Sequence, residues 1–313
     1  MPSTILNVNN VSKSINNTVV ARQVSFHISN GEIFGIIGPE KSGKSTIINM
    51  ICGIIVPSCG KIDVCGRSII NDFENAIKFI GGSLENSNLY TNMTSIQNLN
   101  YFASLYGNIT NKKERINSLI KLFELENDTH KLVKDLPKDK LQKLVLAQAL
   151  VHYPKLLILD NPTKDLDSDN IQKMRNLLMK IIKKYNISVL VTSSNLKEVQ
   201  ELCDTIAVVR GGEILDIKTA EEIKKGTILG QKIAFKVNYP NYGAKLLSQN
   251  FDFGPYAIGP EIILKQPESR IDEISKFLSK NDIAIFGIRT INKTFEDIYN
   301  DILRKQIQKS QLK

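Results

Sequence analysis

Eight consecutive residues, Gly38-Pro39-Glu40-Lys41-Ser42-Gly43-Lys44-Ser45, have the types and spacing to hold phosphate. They fit the pattern G-x-x-x-x-G-K-[ST], follow the apolar run Glu32-Ile33-Phe34-Gly35-Ile36-Ile37, and open onto Thr46-Ile47-Ile48-Asn49-Met50-Ile51. Strand, glycine loop and helix start, in that order, are what a phosphate cradle requires. Gly38 and Gly43 let the backbone turn its N–H groups toward phosphate oxygens. The helix start adds unpaired donors and a positive dipole end. In such a loop Lys44 reaches the β- and γ-phosphates of a nucleoside triphosphate, and the Ser45 hydroxyl ligates Mg²⁺. A carboxylate candidate, Asp160, ends the largely apolar stretch Lys155-Leu156-Leu157-Ile158-Leu159. In a parallel sheet that strand end faces the same crevice as the loop, so Asp160 is expected to hold the metal beside Ser45.

These residues need a scaffold, and the sequence outlines one. Residues 4–37 read as short strands with turns at Asn9-Asn10 and Ser29-Asn30-Gly31, and Pro57-Ser58-Cys59-Gly60 turns into the strand Lys61-Ile62-Asp63-Val64. Thr94 to Gly107 carries Ile96, Leu99, Phe102, Ala103 and Tyr106, and Glu114 to Leu125 carries Ile116, Leu119, Ile120 and Phe123. That spacing predicts two helices inserted between the halves of an α/β core. The core resumes at the Asp160 strand, then helix 170–184, strand 188–192, helix 196–203 and strand 206–209, which turns at Gly211-Gly212. Alternation of this kind predicts a mostly parallel sheet. Lys224-Lys225-Gly226 reads as a linker to a second unit of β-α-β-β-α-β order, the order of a small ferredoxin-like fold, closed by an amphipathic helix from Phe295 to Ile307.

Composition narrows the classes. With 313 residues the chain exceeds one ordinary domain. No run approaches the roughly 18 apolar residues of a membrane span, and the N-terminus lacks a secretory pattern. A cytoplasmic protein is therefore expected. The four cysteines, Cys52, Cys59, Cys65 and Cys203, show no metal-ligand spacing and read as buried reduced thiols. The net charge of +9 comes from scattered lysines with no interleaved aromatics, so no nucleic-acid partner is expected.

The order of these motifs resembles the ATP-binding subunits of ABC transporters. The likeness runs from Val24-Ser25-Phe26 and Gly31-Glu32-Ile33 to Val208-Val209-Arg210-Gly211-Gly212-Glu213-Ile214, about residues 4–220. Leu150-Val151-His152-Tyr153-Pro154-Lys155-Leu156-Leu157-Ile158-Leu159-Asp160-Asn161-Pro162-Thr163 looks like the family's run into its Walker B strand, Leu166-Asp167 like its D-loop, and Asn195-Leu196-Lys197-Glu198-Val199 like the helix after its switch strand. Within the family, Ile80-Gly81, Glu85 and Leu89-Tyr90 are similar to bacitracin-resistance and lantibiotic-immunity exporters, which carry Glu where most members carry Gln. The resemblance implies a P-loop nucleotide-binding domain over 1–225, with antiparallel N-terminal strands and a helical subdomain at about 86–150. An accessory α+β domain would fill 226–313. ATP and Mg²⁺ are the implied cofactors, with Gly38 to Thr46 and Ile15 at the nucleotide and Ser45, Asp160 and Glu85 at the metal. The implied partners are a membrane permease and a second ATP-binding subunit, identical or different, with the chain peripheral on the inner face of the membrane.

Several positions depart from that pattern. The aromatic that stacks on adenine aligns with Ile15, which keeps an apolar contact and loses the stacking. The signature loop aligns with Leu136-Pro137-Lys138-Asp139-Lys140, in which Pro137 has neither hydroxyl nor N–H; Lys138 or Lys140 would attract phosphate by charge alone. The catalytic Glu aligns with Asn161, an amide that cannot accept a proton, and the switch His with Ser194, which has no imidazole. Two readings follow. One is a transport subunit of an exporter for an antimicrobial peptide, antibiotic or lipid-like compound; the other is a non-hydrolysing pseudo-ATPase that regulates or scaffolds a transporter complex. A P-loop kinase lacks support, since neither a lid nor an acceptor site is visible.

Overall fold

The computed structural model describes residues 3–83, 89–107, 109–162, 168–229, 232–265, 270–291 and 294–311. The chain divides into two compact units, residues 1–218 and 219–313.

The first unit begins with two long antiparallel strands, β1 (Thr4–Ile15) and β2 (Thr18–Ser29). The turn expected at Asn9-Asn10 is instead an irregularity inside β1. The register slips between Val8 and Val11, and Asn10 adopts φ 50° while its N–H bonds the Ser25 hydroxyl at 2.8 Å. Asn tolerates that left-handed backbone, so the strand absorbs an extra residue without ending. After β3 (Ile33–Ile37) come α1 (Lys44–Ile51), β4 (Cys59–Val64), β5 (Arg67–Ser68), α2 (Phe73–Ala76) and β6 (Ile80–Ser83). The helical portion is α3 (Ser95–Leu105), α4 (Lys112–Leu122) and α5 (Lys138–Ala149). Thr94 starts α3 with a complete capping box, its side chain accepting from Gln97 N–H while the Gln97 side chain accepts from the Thr94 N–H. The core continues with β7 (Leu156–Asp160), α6 (Ser168–Tyr185), β8 (Ser188–Ser193), α7 (Leu196–Leu202), β9 (Thr205–Arg210) and β10 (Glu213–Thr219).

Two sheets result. The strands β2-β1-β4-β5 form an antiparallel sheet, and β10-β9-β3-β8-β7-β6 form the larger one, in which β6, β7, β8, β3 and β9 run parallel. Every residue of β3, β7 and β8 is buried, which explains why β3 and the first four residues of β7 read as apolar runs. Helix α1 is held in the core shared by both sheets. Its Ile47, Ile48, Met50 and Ile51 are buried in one cluster with Val8, Phe26 and Ile28 of one sheet and Phe34, Ile36 and Ile158 of the other. Phe26 stacks on Phe34 at 4.8 Å between ring centres, an aromatic contact worth about 1 kcal/mol beyond its buried area. The phosphate-loop helix is thereby fixed by hydrophobic burial rather than by its short length, since eight residues alone would not hold a helix in water.

The second unit comprises α8 (Ala220–Leu229), β11 (Lys232–Val237), α9 (Pro240–Asn250), β12 (Tyr256–Ile258), β13 (Glu261–Lys265), α10 (Ile271–Lys280), β14 (Ile285–Ile291) and α11 (Phe295–Gln311). Its sheet has the order β12-β13-β11-β14 with every neighbouring pair antiparallel, the split β-α-β arrangement. Ile233, Phe235, Leu247, Ile262, Leu264, Ile274 and Leu278 form its own core. The linker expected at Lys224-Lys225-Gly226 lies inside α8. A glycine costs a helix about 1 kcal/mol, and here the buried Ile223 and packing of α8 on α11 outweigh it.

Candidate functional site

The parallel sheet brings its strand ends to one edge. Ile37, the last residue of β3, is level with Ser193 of β8, and Asp160, the last residue of β7, is level with Thr192. The loop that leaves β3 and the carboxylate that ends β7 therefore meet at the same rim of the sheet.

Steric constraints shape that loop. A Cβ on Gly38 would lie 2.2 Å from the Val209 carbonyl oxygen and 2.7 Å from the Ser42 hydroxyl, so only glycine fits. Gly43, at φ +103°, caps α1 with no side chain, and its Cα faces Gly212 and the Val20 carbonyl closely. The first-turn N–H groups of α1 receive no side-chain cap, which leaves them directed at an outside acceptor. Gly212 N–H donates to the Ser42 carbonyl at 2.8 Å, and Arg22 N–H donates to the Gly212 carbonyl at 2.9 Å. The turn after β9 and the start of β2 thus clamp the loop from outside.

Lys44 is buried, 6 % exposed, within this loop. Its ammonium donates to the carbonyls of Gly38 at 2.7 Å and Pro39 at 2.8 Å, and to the Ser42 hydroxyl at 3.3 Å. Burial pushes its pKa below the ordinary lysine value, while the charges of Asp160 and Glu40 oppose that shift. Among the described residues no carboxylate pairs with it within hydrogen-bonding distance. A buried cation satisfied only by neutral oxygens is a site that an anion would complete.

Asp160 is 8 % exposed. Its Oδ1 accepts a hydrogen bond from the Thr192 hydroxyl and another from Asn161 Nδ2 at 3.2 Å. The Asn161 N–H donates to Thr192, to the carbonyl at 3.1 Å and the hydroxyl at 3.2 Å. Ser45 is exposed in the first turn of α1 and Thr46 half-buried beside it. The residues therefore fit a metal-bound triphosphate: backbone donors and Lys44 for phosphate, Ser45 and Asp160 as oxygen ligands for a hard cation.

The remaining expected positions sort as follows. Glu40 and Lys41 are exposed on the loop, Lys41 with φ 59°. Ile15 ends β1, paired with Thr18 and 42 % exposed, on the hairpin whose second strand supplies the Val20 carbonyl at Gly43. Ser194 is exposed just beyond β8. Its neighbours hold that turn: Ser193 donates to the buried Glu198 at 2.7 Å, and Asn195 caps α7 by accepting from Lys197 and Glu198. At the signature position Pro137 precedes α5 in an extended conformation. Of the two lysines there, Lys140 donates to the Glu124 carbonyl at 2.6 Å and lies 3.6 Å from Asp128, while Lys138 is exposed in the first turn. Glu85, Thr163 and the D-loop pair Leu166-Asp167 lie outside the described residues. Sequence reasoning missed Thr192, Gly212 and Val20. Thr192 had a signal, a polar residue directly after the apolar run Val189-Leu190-Val191 in a strand buried throughout; the other two act through backbone atoms and had none.

A glycine loop on a parallel-strand end, a buried lysine and an adjacent strand-terminal aspartate define a P-loop nucleotide-binding protein. The model of the family "ABC transporter" matches residues 21–164. The chain is 34% identical to the uncharacterized ABC transporter ATP-binding protein YhcH of Bacillus subtilis, over 94% of each chain. It is 28% identical to the bacitracin transport ATP-binding protein BcrA of Bacillus licheniformis, over 95% of this chain and 96% of that one. Among solved structures, an ATP-binding subunit of an ABC transporter superposes with a TM-score of 0.64 at 25% identity, covering 71% of this chain and 92% of that one. A dimeric ATP-binding cassette holding ADP and phosphate shares the fold, with a TM-score of 0.63 at 23% identity, over 69% of this chain and 99% of the other. The chain belongs to the ATP-binding proteins of ABC transporters. Among the described residues, no helix is long and apolar enough to cross a membrane.

Proposed function

We propose that this chain binds Mg-ATP in the loop from Gly38 to Thr46 and works as one of a pair of ATP-binding subunits on an integral membrane permease at the inner face of the cell membrane. The observation that carries the reading is the meeting of the loop, the buried Lys44 and Asp160 at one rim of a parallel sheet. Lys44 and the free N–H groups of α1 would hold the β- and γ-phosphates, and Ser45 and Asp160 the cation. Bound Mg²⁺ would neutralise phosphate charge. Closure of two such domains over nucleotide would do the mechanical work on the permease.

An exported antimicrobial peptide, antibiotic or lipid-like compound is the cargo class proposed. It is supported by near full-length similarity to proteins named for bacitracin transport. The same likeness favours a transport subunit over a regulatory scaffold. Position 161 offers an amide rather than a carboxylate, so proton abstraction from an attacking water has no base there.

Calorimetric titration with Mg-ATP tests the binding reading. The wild-type chain is expected to bind and Lys44→Ala to lose at least tenfold in affinity; no binding by the wild type at millimolar ATP refutes it. Co-purification from membranes tests the assembly: a permease is expected with the chain, and its absence from a solubilised complex would count against the transport role.

A further inference from the structure

The polar triangle at the end of β7 has a division of labour that the family resemblance does not supply. A carboxylate offers two oxygens with about four acceptor sites between them. In Asp160 one oxygen, Oδ1, receives both the Thr192 hydroxyl and Asn161 Nδ2, the latter at 3.2 Å. Among the described residues no donor reaches Oδ2. Thr192 is fully buried and stands level with Asp160 on the adjacent parallel strand, so its hydroxyl has a fixed approach. The triangle closes because the Asn161 N–H donates back to Thr192, to the carbonyl at 3.1 Å and the hydroxyl at 3.2 Å. Asn161 holds the left-handed backbone this requires, with φ 49°, which asparagine adopts more readily than most residues.

We infer that Thr192 and Asn161 are positioning residues for the Asp160 carboxylate, saturating Oδ1 so that Oδ2 is the oxygen presented to the divalent cation of a bound nucleotide. The inference rests on the nucleotide reading above and adds the residues that set the metal's geometry. Asn161 has a specific part in it. Its amide donates to the aspartate, whereas a glutamate at 161 has no proton to donate and would set a second negative charge beside Asp160. The residue that stands where the family carries a base is thus committed to orienting the metal carboxylate. Hydrogen-bonding partners of metal ligands typically contribute about 10–100-fold to metal affinity.

The test separates metal positioning from general structural support by measuring ATP affinity calorimetrically on the full chain, once with Mg²⁺ and once with EDTA. The ratio of the two dissociation constants is the magnesium gain. The isosteric Thr192→Val is expected to lower that gain about 10–100-fold while leaving affinity in EDTA within about twofold of wild type, and Thr192→Ser is expected to restore it. Asn161→Gly, which keeps the left-handed backbone and removes the side-chain amide, is expected to lower the gain in the same direction. Asn161→Gly decides the matter if Thr192→Val fails to fold. A wild-type magnesium gain in Thr192→Val or Asn161→Gly overturns the inference, as does an equal loss with and without Mg²⁺, or a wild type with no gain at all. A wild type that binds no ATP in either buffer overturns the nucleotide reading itself, and this inference with it.

Discussion

His152 gives a pH dependence that can be worked out from its surroundings. The ring lies flat against Tyr106, 3.7 Å between ring centres, and Nε2 is 2.9 Å from the Ile80 carbonyl. A carbonyl can only accept, so Nε2 carries the proton and Nδ1 is the basic nitrogen. Nδ1 is buried with no hydrogen-bond partner among the described residues. Protonating it would bury a charge; burial is the largest cause pushing the pKa down to about 4, and the nearby Arg115 charge adds to it against the Ile80 bond. In the unfolded chain the ring takes up its proton near pH 6.5. Between those values the unfolded state binds a proton that the folded state refuses, so stability falls as pH drops through the window from 6.5 to 4. At pH 7.5 both states are neutral and the effect vanishes. At pH 5.0 the difference is about 1.5 pH units, or about 2 kcal/mol, of lost stability from this one ring. Urea unfolding followed by circular dichroism at pH 7.5 and 5.0 measures it, with His152→Gln as the comparison. The variant is expected to lose about 2 kcal/mol less than the wild type over that step. Equal losses in the two proteins would refute the assignment.

Three further outcomes are expected. Arg115 is buried between Tyr153, at 4.0 Å from the ring centre, and Tyr185, at 4.8 Å, with its guanidinium donating to the Leu150 carbonyl. Arg115→Ala is expected to destabilise the fold by about 3 kcal/mol in denaturant titration, and Arg115→Lys to recover less than half of it, because a point ammonium cannot stack on two rings and reach the carbonyl together. Gly38→Ala would set a Cβ 2.2 Å from the Val209 carbonyl oxygen, and binding of a fluorescent ATP analogue is expected to weaken more than tenfold (about 1.4 kcal/mol); unchanged binding would show that the loop is not held as described. Burial pushes the Cys52 thiol up to about 12 and raises Cys203 as well, whereas Cys59, expected to be buried, is exposed at the start of β4 and Cys65 is only half-buried. Since the thiolate is the reactive form, mass spectrometry after brief iodoacetamide treatment of the native chain is expected to find Cys59 modified first and Cys52 and Cys203 spared until it unfolds.

Much of this protein was legible in the chain itself because it is encoded locally. The glycines, lysine and serine from Gly38 to Ser45 form one pattern within eight consecutive residues, and the apolar runs of β3 and β7 announce strands buried on both faces. Periodicity located α3 and α4, while the Asn9-Asn10 pair and Lys224-Lys225-Gly226 misled. Residues that often break structure were carried through it, by a register slip in one case and by the buried Ile223 in the other. Tertiary structure decided what depends on strands distant in sequence lying side by side. Only the β7–β8 pairing puts the Thr192 hydroxyl on Asp160, only the turn after β9 brings Gly212 onto the Ser42 carbonyl, and only the packed helices place Arg115 between two tyrosines. A side chain's type fixes which bonds it can make; which partner it meets depends on register and packing, and neither is written in any short stretch of sequence.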